Sequence, residues 1–90
     1  MHKQQFENFL ISKGYKTTTT SGHPSTVYDY IKRIDKVCEW EHYSWNQLII
    51  NISSIVKDYD IGGSKEELGN KSHKAVINAL KRFQEYASNI

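Results

Sequence analysis

Residues 72–87 read SHKAVINALKRFQEYA and carry the clearest helical pattern in the chain. The apolar residues recur at spacings of four, three and four, which is the period of one stripe on an α-helix: Val76, Leu80, Phe83 and Ala87. The opposite face is mostly basic and amide-bearing, and it holds Lys71, Lys74, Asn78, Lys81 and Glu85. We therefore expect a last helix that packs its apolar side on a core and turns its basic side outward.

Three more helices are predicted upstream of this segment. Residues 3–13 form a short helix, and Gly14 follows it at the position of a helix C-cap. Residues 25–42 form a longer helix that begins after Pro24. Residues 44–59 form a third helix, whose apolar face is the richest in the chain.

Serine residues mark the expected helix starts. Ser44 and Gln47 have the spacing of a capping box, in which each side chain accepts a hydrogen bond from the other residue's backbone amide. Ser64 and Glu67 repeat this spacing and predict a single short helical turn. Ser72 is the expected N-cap of the last helix.

The expected fold is therefore all-α: a small orthogonal bundle of four main helices plus one short helical turn. Cys38 falls on the apolar side of the second helix, so we interpret it as a small core residue and not as a reactive thiol. The predicted core consists of apolar residues from all four helices: Phe9, Leu10, Ile31, Ile34, Leu48, Ile52, Ile55, Val76, Leu80 and Phe83.

The composition fits one small domain over residues 1–90. Aromatic residues make up 12% of the chain, and their large rings supply much of the possible burial. The single cysteine permits no internal disulfide, which suits a reducing cytoplasm. No apolar run is long enough for a membrane span, and no signal-peptide pattern occurs at the N-terminus. We expect a mobile Thr/Ser/Gly-rich connector at about residues 15–24, although its hydroxyls and Lys16 could instead contact phosphates.

No catalytic or metal-binding pattern is recognised. The four histidines are scattered, without a cysteine at zinc-ligand spacing. The segment 62–65, GGSK, lacks the full glycine and lysine spacing of a phosphate-binding loop, and we interpret it as a turn. Glu66 and Glu67 are adjacent, so their side chains diverge on a helix and do not form an acid/base pair. We expect no enzymatic activity, no cofactor and no metal.

The net charge is weakly basic and unevenly distributed. The formal charge is +2, which by itself does not identify a nucleic-acid-binding protein. Residues 1–22 and residues 64–90 each carry a net charge of +2, whereas residues 23–63 carry −2. The two basic ends could meet in space.

Over nearly its whole length the chain resembles the core-binding, SAM-like N-terminal domain of tyrosine recombinases (phage integrases). The resemblance lies in the segments FENFLISKGY, STVYDYIKRI, SWNQL and SHKAVINALKRFQEYA. In that family the domain clamps duplex DNA by placing helices in the major groove. The resemblance implies a SAM-like fold, duplex DNA as partner, and helices 25–42 and 72–87 as contacting elements. The chain lacks the family's catalytic domain with its Arg/His/Arg/Tyr set, so no cleavage and rejoining of DNA is implied.

The polar side chains on these two helices are the candidate DNA-contacting residues. Lysine and arginine neutralise phosphates, and an asparagine amide can read an adenine edge. The alternative for the same residues is a solvated helix face, salt-bridged by pairs such as Asp29 with Lys32 or Arg33. The candidates are Lys32, Arg33, Lys36, Lys71, Ser72, His73, Lys74, Asn78 and Lys81.

A protein interface is the alternative function, for instance that of a small phage-encoded inhibitor or adaptor of a nucleoprotein machine. Trp40, Tyr43 and Trp45 cluster in sequence at a predicted helix junction, and Trp and Tyr are common interface anchors. The other interpretation of these rings is that they seal a small core.

Overall fold

Six helices follow one another in the computed structural model, which describes residues 2–16 and 26–90. They are α1 (His2–Ser12), α2 (Thr26–Glu41), α3 (Trp45–Ile50), α4 (Ile52–Tyr59), α5 (Glu66–Gly69) and α6 (Lys71–Ser88). No β-strand occurs within these residues, so the predicted all-α class is confirmed. Residues 17–24 of the predicted connector, and residue 25 of the predicted second helix, lie outside the described part of the chain. None of the helices in the described ranges is long and apolar enough to cross a membrane.

The core forms around α6, which contacts each of the other five helices and packs most extensively on α2. Nine of the ten predicted core residues are buried, and Phe9 is only partly buried at the edge of the cluster. The prediction omitted several aromatic and aliphatic side chains that are fully enclosed, among them Phe6, Val27 and Tyr59. Cys38 is buried, as expected for a core residue.

Two helices end in the same way, with one residue in the left-handed region. After α1, Gly14 has a φ of 98°, and the amide of Tyr15 donates to the carbonyl of Leu10 at 3.1 Å. After α2, His42 has a φ of 59°, and the amide of Tyr43 donates to the carbonyl of Cys38 at 2.9 Å. Both are Schellman motifs, which satisfy carbonyls that the helix leaves free. The C-cap predicted at Gly14 is confirmed.

The helix predicted over residues 44–59 is two helices, because it is interrupted at Asn51. The Ser44–Gln47 capping box forms as predicted at the start of α3. At Asn51 both the backbone amide and the side-chain amide donate to the carbonyl of Gln47, at 3.2 and 2.9 Å. This local competition for one carbonyl ends α3 and lets α4 begin one residue later.

The second predicted capping box does not form. Residue Lys65 precedes α5, and no side chain caps that helix. Instead, the carboxylate of Glu66 accepts a hydrogen bond from the amide of Gly62 at 3.3 Å. Gly69 is buried against the backbone of Tyr59, so tertiary packing on α4 positions this short helix.

Candidate nucleic-acid interface

The two helices predicted to contact DNA lie side by side, because α2 and α6 form the most extensive helix contact in the fold. Across this contact Arg82 of α6 approaches Tyr30 of α2, and Tyr15 lies against Tyr30 with ring centroids 5.5 Å apart. Lys32 on α2 and Asn78 on α6 are exposed, each on the side of its helix away from the core. We call the exposed sides of these two helices together the α2–α6 surface.

On α2, two of the three predicted cations are matched by carboxylates on the same helix. Arg33 pairs with Asp29 at 3.3 Å, and Lys36 pairs with Glu39 at 3.5 Å. Lys32 is exposed and makes no ion pair among the described residues. The salt-bridged helix face considered as the alternative is thus present for part of α2.

On α6, Lys81 pairs with Asp60, which lies just after α4, at 3.4 Å. A hydrogen bond from the backbone amide of Ile61 is the largest cause that lowers the pKa of Asp60, and Lys81 and Lys74 lower it further. Lys74 is therefore also near this carboxylate, although it makes no ion pair with it. Asn78 is exposed.

The start of α6 differs from the sequence prediction. Ser72, His73 and Lys74 have φ values of 56°, 58° and 69°, so three consecutive residues other than glycine lie in the left-handed region. For L-amino acids this conformation costs roughly 1–2 kcal/mol per residue. Ser72 is not the N-cap of α6, which is Asn70 without a side-chain cap bond.

This left-handed turn is highly exposed and carries cations but no carboxylate. All four residues 71–74 are exposed, and Lys71 and Lys74 make no ion pair among the described residues. No acidic residue occurs in the first turn of α6. Because the turn is left-handed, Lys71 and Lys74 do not follow the regular right-handed spacing that was predicted to align them with Asn78 and Lys81.

Arg82 is a residue of the α2–α6 surface that the sequence analysis missed. Its guanidinium pairs with Glu85 at 3.0 Å, and a side-chain hydrogen bond with Tyr15 is the main cause that raises its pKa. The Nε atoms of Arg82 and Arg33 are both shielded from solvent and have no hydrogen-bond partner among the described residues. The signal was available, because residue 82 falls on the flank of the helical pattern, beside the apolar stripe.

The structure thus divides the nine candidate residues into two sets. Arg33, Lys36 and Lys81 are engaged with carboxylates. The others are exposed and make no ion pair within the described residues: Lys32, Lys71, Ser72, His73, Lys74 and Asn78.

The three rings of the alternative protein interface are partly buried and pack against the core. The ring of Trp40 stacks on Tyr59, with centroids 6.4 Å apart. The ring of Trp45 meets Phe83 edge-on at 5.3 Å, and its Nε1–H donates to Asp35 at 2.8 Å. Among the ring pairs of the described residues none joins Trp40, Tyr43 and Trp45 to one another, so they do not form one exposed cluster.

The segment 62–65 is a turn, as interpreted from its sequence. Gly62 has a φ of 84°, and Lys65 forms an ion pair with Glu41 of α2, so its ammonium group is already engaged. Within residues 2–16 and 26–90, no three His, Cys, Asp or Glu side chains are grouped so that they could hold a metal ion.

Comparison with known proteins assigns no family: no protein-family model, no curated protein and no solved structure matches the chain. The function is therefore argued from the side chains of the α2–α6 surface.

Proposed function

We propose that this chain is a non-catalytic duplex-DNA-binding module, similar to the integrase core-binding domain, from a mobile element or a recombinase-like or nuclease-associated protein. The observation that carries the proposal is the set of exposed lysines without carboxylate partners on two helices that pack together. Lys32 lies on α2, and Lys71 and Lys74 lie at the start of α6. Exposed cations on adjoining helices are what a phosphate backbone requires.

The ion pairs elsewhere on the α2–α6 surface do not prevent such binding. The side chains of Lys36 and Lys81 are 50% and 43% exposed, and exposed ion pairs contribute about 0–1 kcal/mol. A phosphate can therefore replace Glu39 or Asp60 as partner at small cost. Asn78 is exposed on α6 between Lys74 and Lys81 in the sequence, and in such a complex its amide would read a base edge.

The salt dependence of affinity tests this proposal. Binding of a fluorescein-labelled, random-sequence duplex is measured by anisotropy at several salt concentrations. Each phosphate contact contributes about 0.9 to the slope of log affinity against log salt, so Lys71→Gln with Lys74→Gln should flatten the slope by about 1.8. Glutamine keeps the Cβ atom and most of the side-chain length, so the double variant removes two charges without easing the steric restriction on the backbone of the turn.

The matched control removes the same two charges elsewhere. Lys13→Gln with Lys57→Gln changes exposed lysines next to α1 and on α4, and it should leave the slope nearly unchanged. If both double variants flatten the slope equally, the binding is a response to net charge and the assigned surface is wrong. If the parent chain does not bind the duplex even at low salt, the proposed function is wrong.

The protein-interface function has less support. Contacts with Tyr59 and Phe83 account for the positions of the Trp40 and Trp45 rings, and Tyr43 also packs on the core. These rings seal the core, so no side-chain cluster favours the interface over the DNA-binding function.

A further inference from the structure

The left-handed turn at the start of α6 conflicts with its own sequence. Ser72, His73 and Lys74 all have Cβ atoms, and such residues visit the left-handed region singly and not in runs of three. Neither glycine nor asparagine occurs among them. Strained backbone of this kind persists at sites where a conformational change is part of the function.

The same sequence is well suited to a right-handed start. Ser72 is a preferred N-cap residue, and a serine N-cap accepts a hydrogen bond from the amide two or three residues later. The torsions of His73, 58° and 45°, are close to the mirror image of those in a right-handed helix. Reversal at His73 and Lys74, with Ser72 as N-cap, extends the right-handed part of α6 by two residues toward its N-terminus.

The charges in the turn disfavour a right-handed start of α6 in the free chain. A right-handed first turn would hold Lys74 at the helix N-terminus, with Lys71 just before it and no acidic residue in that turn. Cations are unfavourable at that end of a helix. Contact with a polyanion removes this penalty.

We propose that residues 72–74 are a two-state element that is left-handed in the free chain and becomes right-handed when the chain binds duplex DNA. This inference rests on the proposed function. In the right-handed state Lys74, Asn78 and Lys81 follow one another at spacings of four and three on one face of α6. The change thus assembles the continuous basic face that the sequence pattern contains and the free structure lacks.

Two substitutions at His73 separate the states. His73→Gly and His73→Ala both remove the imidazole, so they differ only in backbone preference. Glycine tolerates the left-handed form and disfavours the helix, whereas alanine does the reverse. His73→Gly should therefore bind a random-sequence duplex on the order of tenfold to a hundredfold more weakly than His73→Ala.

The stability of the two variants provides the control. The free His73→Gly chain should melt at or above the temperature of His73→Ala, since it relieves strain in the free state. Weaker binding by the more stable variant cannot then result from unfolding. In NMR spectra the parent's residues 72–74 should give the strong intraresidue amide–Hα cross-peaks of positive φ, and those of His73 and Lys74 should weaken on saturation with duplex.

The outcomes distinguish this inference from the function on which it rests. Normal duplex binding with equal affinities of the two variants overturns the two-state element alone. Negative φ at His73 and Lys74 in the free chain also overturns it alone. Failure of the parent chain to bind the duplex overturns the proposed function and the inference with it.

Discussion

At the scale of single residues, Glu41 near the end of α2 is the most constrained charged group. Its side chain is only 10% exposed, and its carboxylate accepts hydrogen bonds from the Tyr59 hydroxyl at 2.7 Å and from the Lys65 ammonium group. The Lys65 ammonium also lies 5.7 Å from the centre of the Tyr59 ring. These contacts join α2, α4 and the residue before α5.

The hydrogen bonds determine the charge state of this cluster. Burial alone would raise the pKa of Glu41, but the hydrogen bonds from Lys65 and Tyr59 outweigh it and hold the pKa below its ordinary value of 4.5. Burial, and next the hydrogen bond to Glu41, raise the pKa of Tyr59. Because the folded-state pKa of Glu41 is the lower one, its stabilisation is complete above about pH 4.5 and is lost as pH falls through the folded-state value.

Glu41→Gln should lower the free energy of unfolding at pH 7 by about 1–3 kcal/mol, because it leaves the buried Tyr59 hydroxyl and the Lys65 ammonium group with a weaker acceptor. The difference from the parent should shrink as the pH is lowered below about 4.5, where the carboxylate becomes protonated first in the unfolded chain and then, at lower pH, in the folded chain. Urea denaturation followed by circular dichroism between pH 3 and pH 7 measures both effects.

Glu39→Gln is the matched control for this prediction. Its side chain is 70% exposed and, among the described residues, pairs only with Lys36, so the substitution should change the stability by less than about 0.5 kcal/mol. A Glu41→Gln variant with the same pH dependence as the parent would contradict the assigned role of this carboxylate.

At the scale of helices, two serines with the same local sequence pattern have different structural roles. The Ser44 hydroxyl accepts from the Gln47 amide at 3.2 Å, and the Gln47 side chain accepts from the Ser44 amide at 2.8 Å. Ser64, three residues before Glu67, makes no such cap. Ser44→Ala should therefore cost about 1 kcal/mol of stability, and Ser64→Ala less than about 0.5 kcal/mol.

Urea titrations of the two serine variants against the parent chain measure this difference. Equal losses would mean that the capping box at Ser44 contributes no more than an exposed serine does. A large loss at Ser64 alone would mean that α5 starts one residue earlier than described.

The comparison of these serines indicates how far the sequence predicts the helices. The cap at Ser44 and the Schellman turn at Gly14 depend on contacts within a few residues, and both were predictable. The position of α5 depends on its last residue, Gly69, packing against Tyr59, ten residues away, which a local pattern does not contain. The break at Asn51 was local in origin, but its asparagine was outweighed by the continuous apolar period around it.

The sequence predicts which helix faces Lys32 and Asn78 occupy, but it does not predict which of the candidate cations form ion pairs. Helical periodicity correctly placed Lys32 and Asn78 on outer faces of α2 and α6. Whether a cation has a carboxylate partner depends on tertiary neighbours, as with Lys81 and Asp60, which are 21 positions apart in the chain. The left-handed turn at 72–74 is a run of three residues, whereas residues other than glycine visit this region singly, so the sequence did not predict it.

At the scale of the whole molecule, all five other helices contact one helix, α6. A fold of 90 residues has a small core, so a defect in α6 has no second core to compensate for it. Trp45 reports on the contact of α3 with α6, since its ring lies 5.3 Å from Phe83. Trp40 reports on the contact of α2 with α4 through Tyr59. The two tryptophans therefore monitor different parts of the same core.

Leu80→Ala should lower the free energy of unfolding by about 2–5 kcal/mol, because Leu80 is fully buried in α6 and its loss leaves a cavity. Asn78→Ala, an exposed change two residues away, should stay within about 0.7 kcal/mol of the parent. Since α6 contacts every other helix, the remaining structure should still unfold in one step, with tryptophan fluorescence and circular dichroism giving the same midpoint. Repeating the titration with Trp40→Phe and with Trp45→Phe isolates each reporter. Separate midpoints for the two tryptophans would mean that α2 and α4 form a unit that is stable without α6. A Leu80→Ala chain as stable as the Asn78→Ala chain would mean that the apolar stripe of α6 is not the centre of the core.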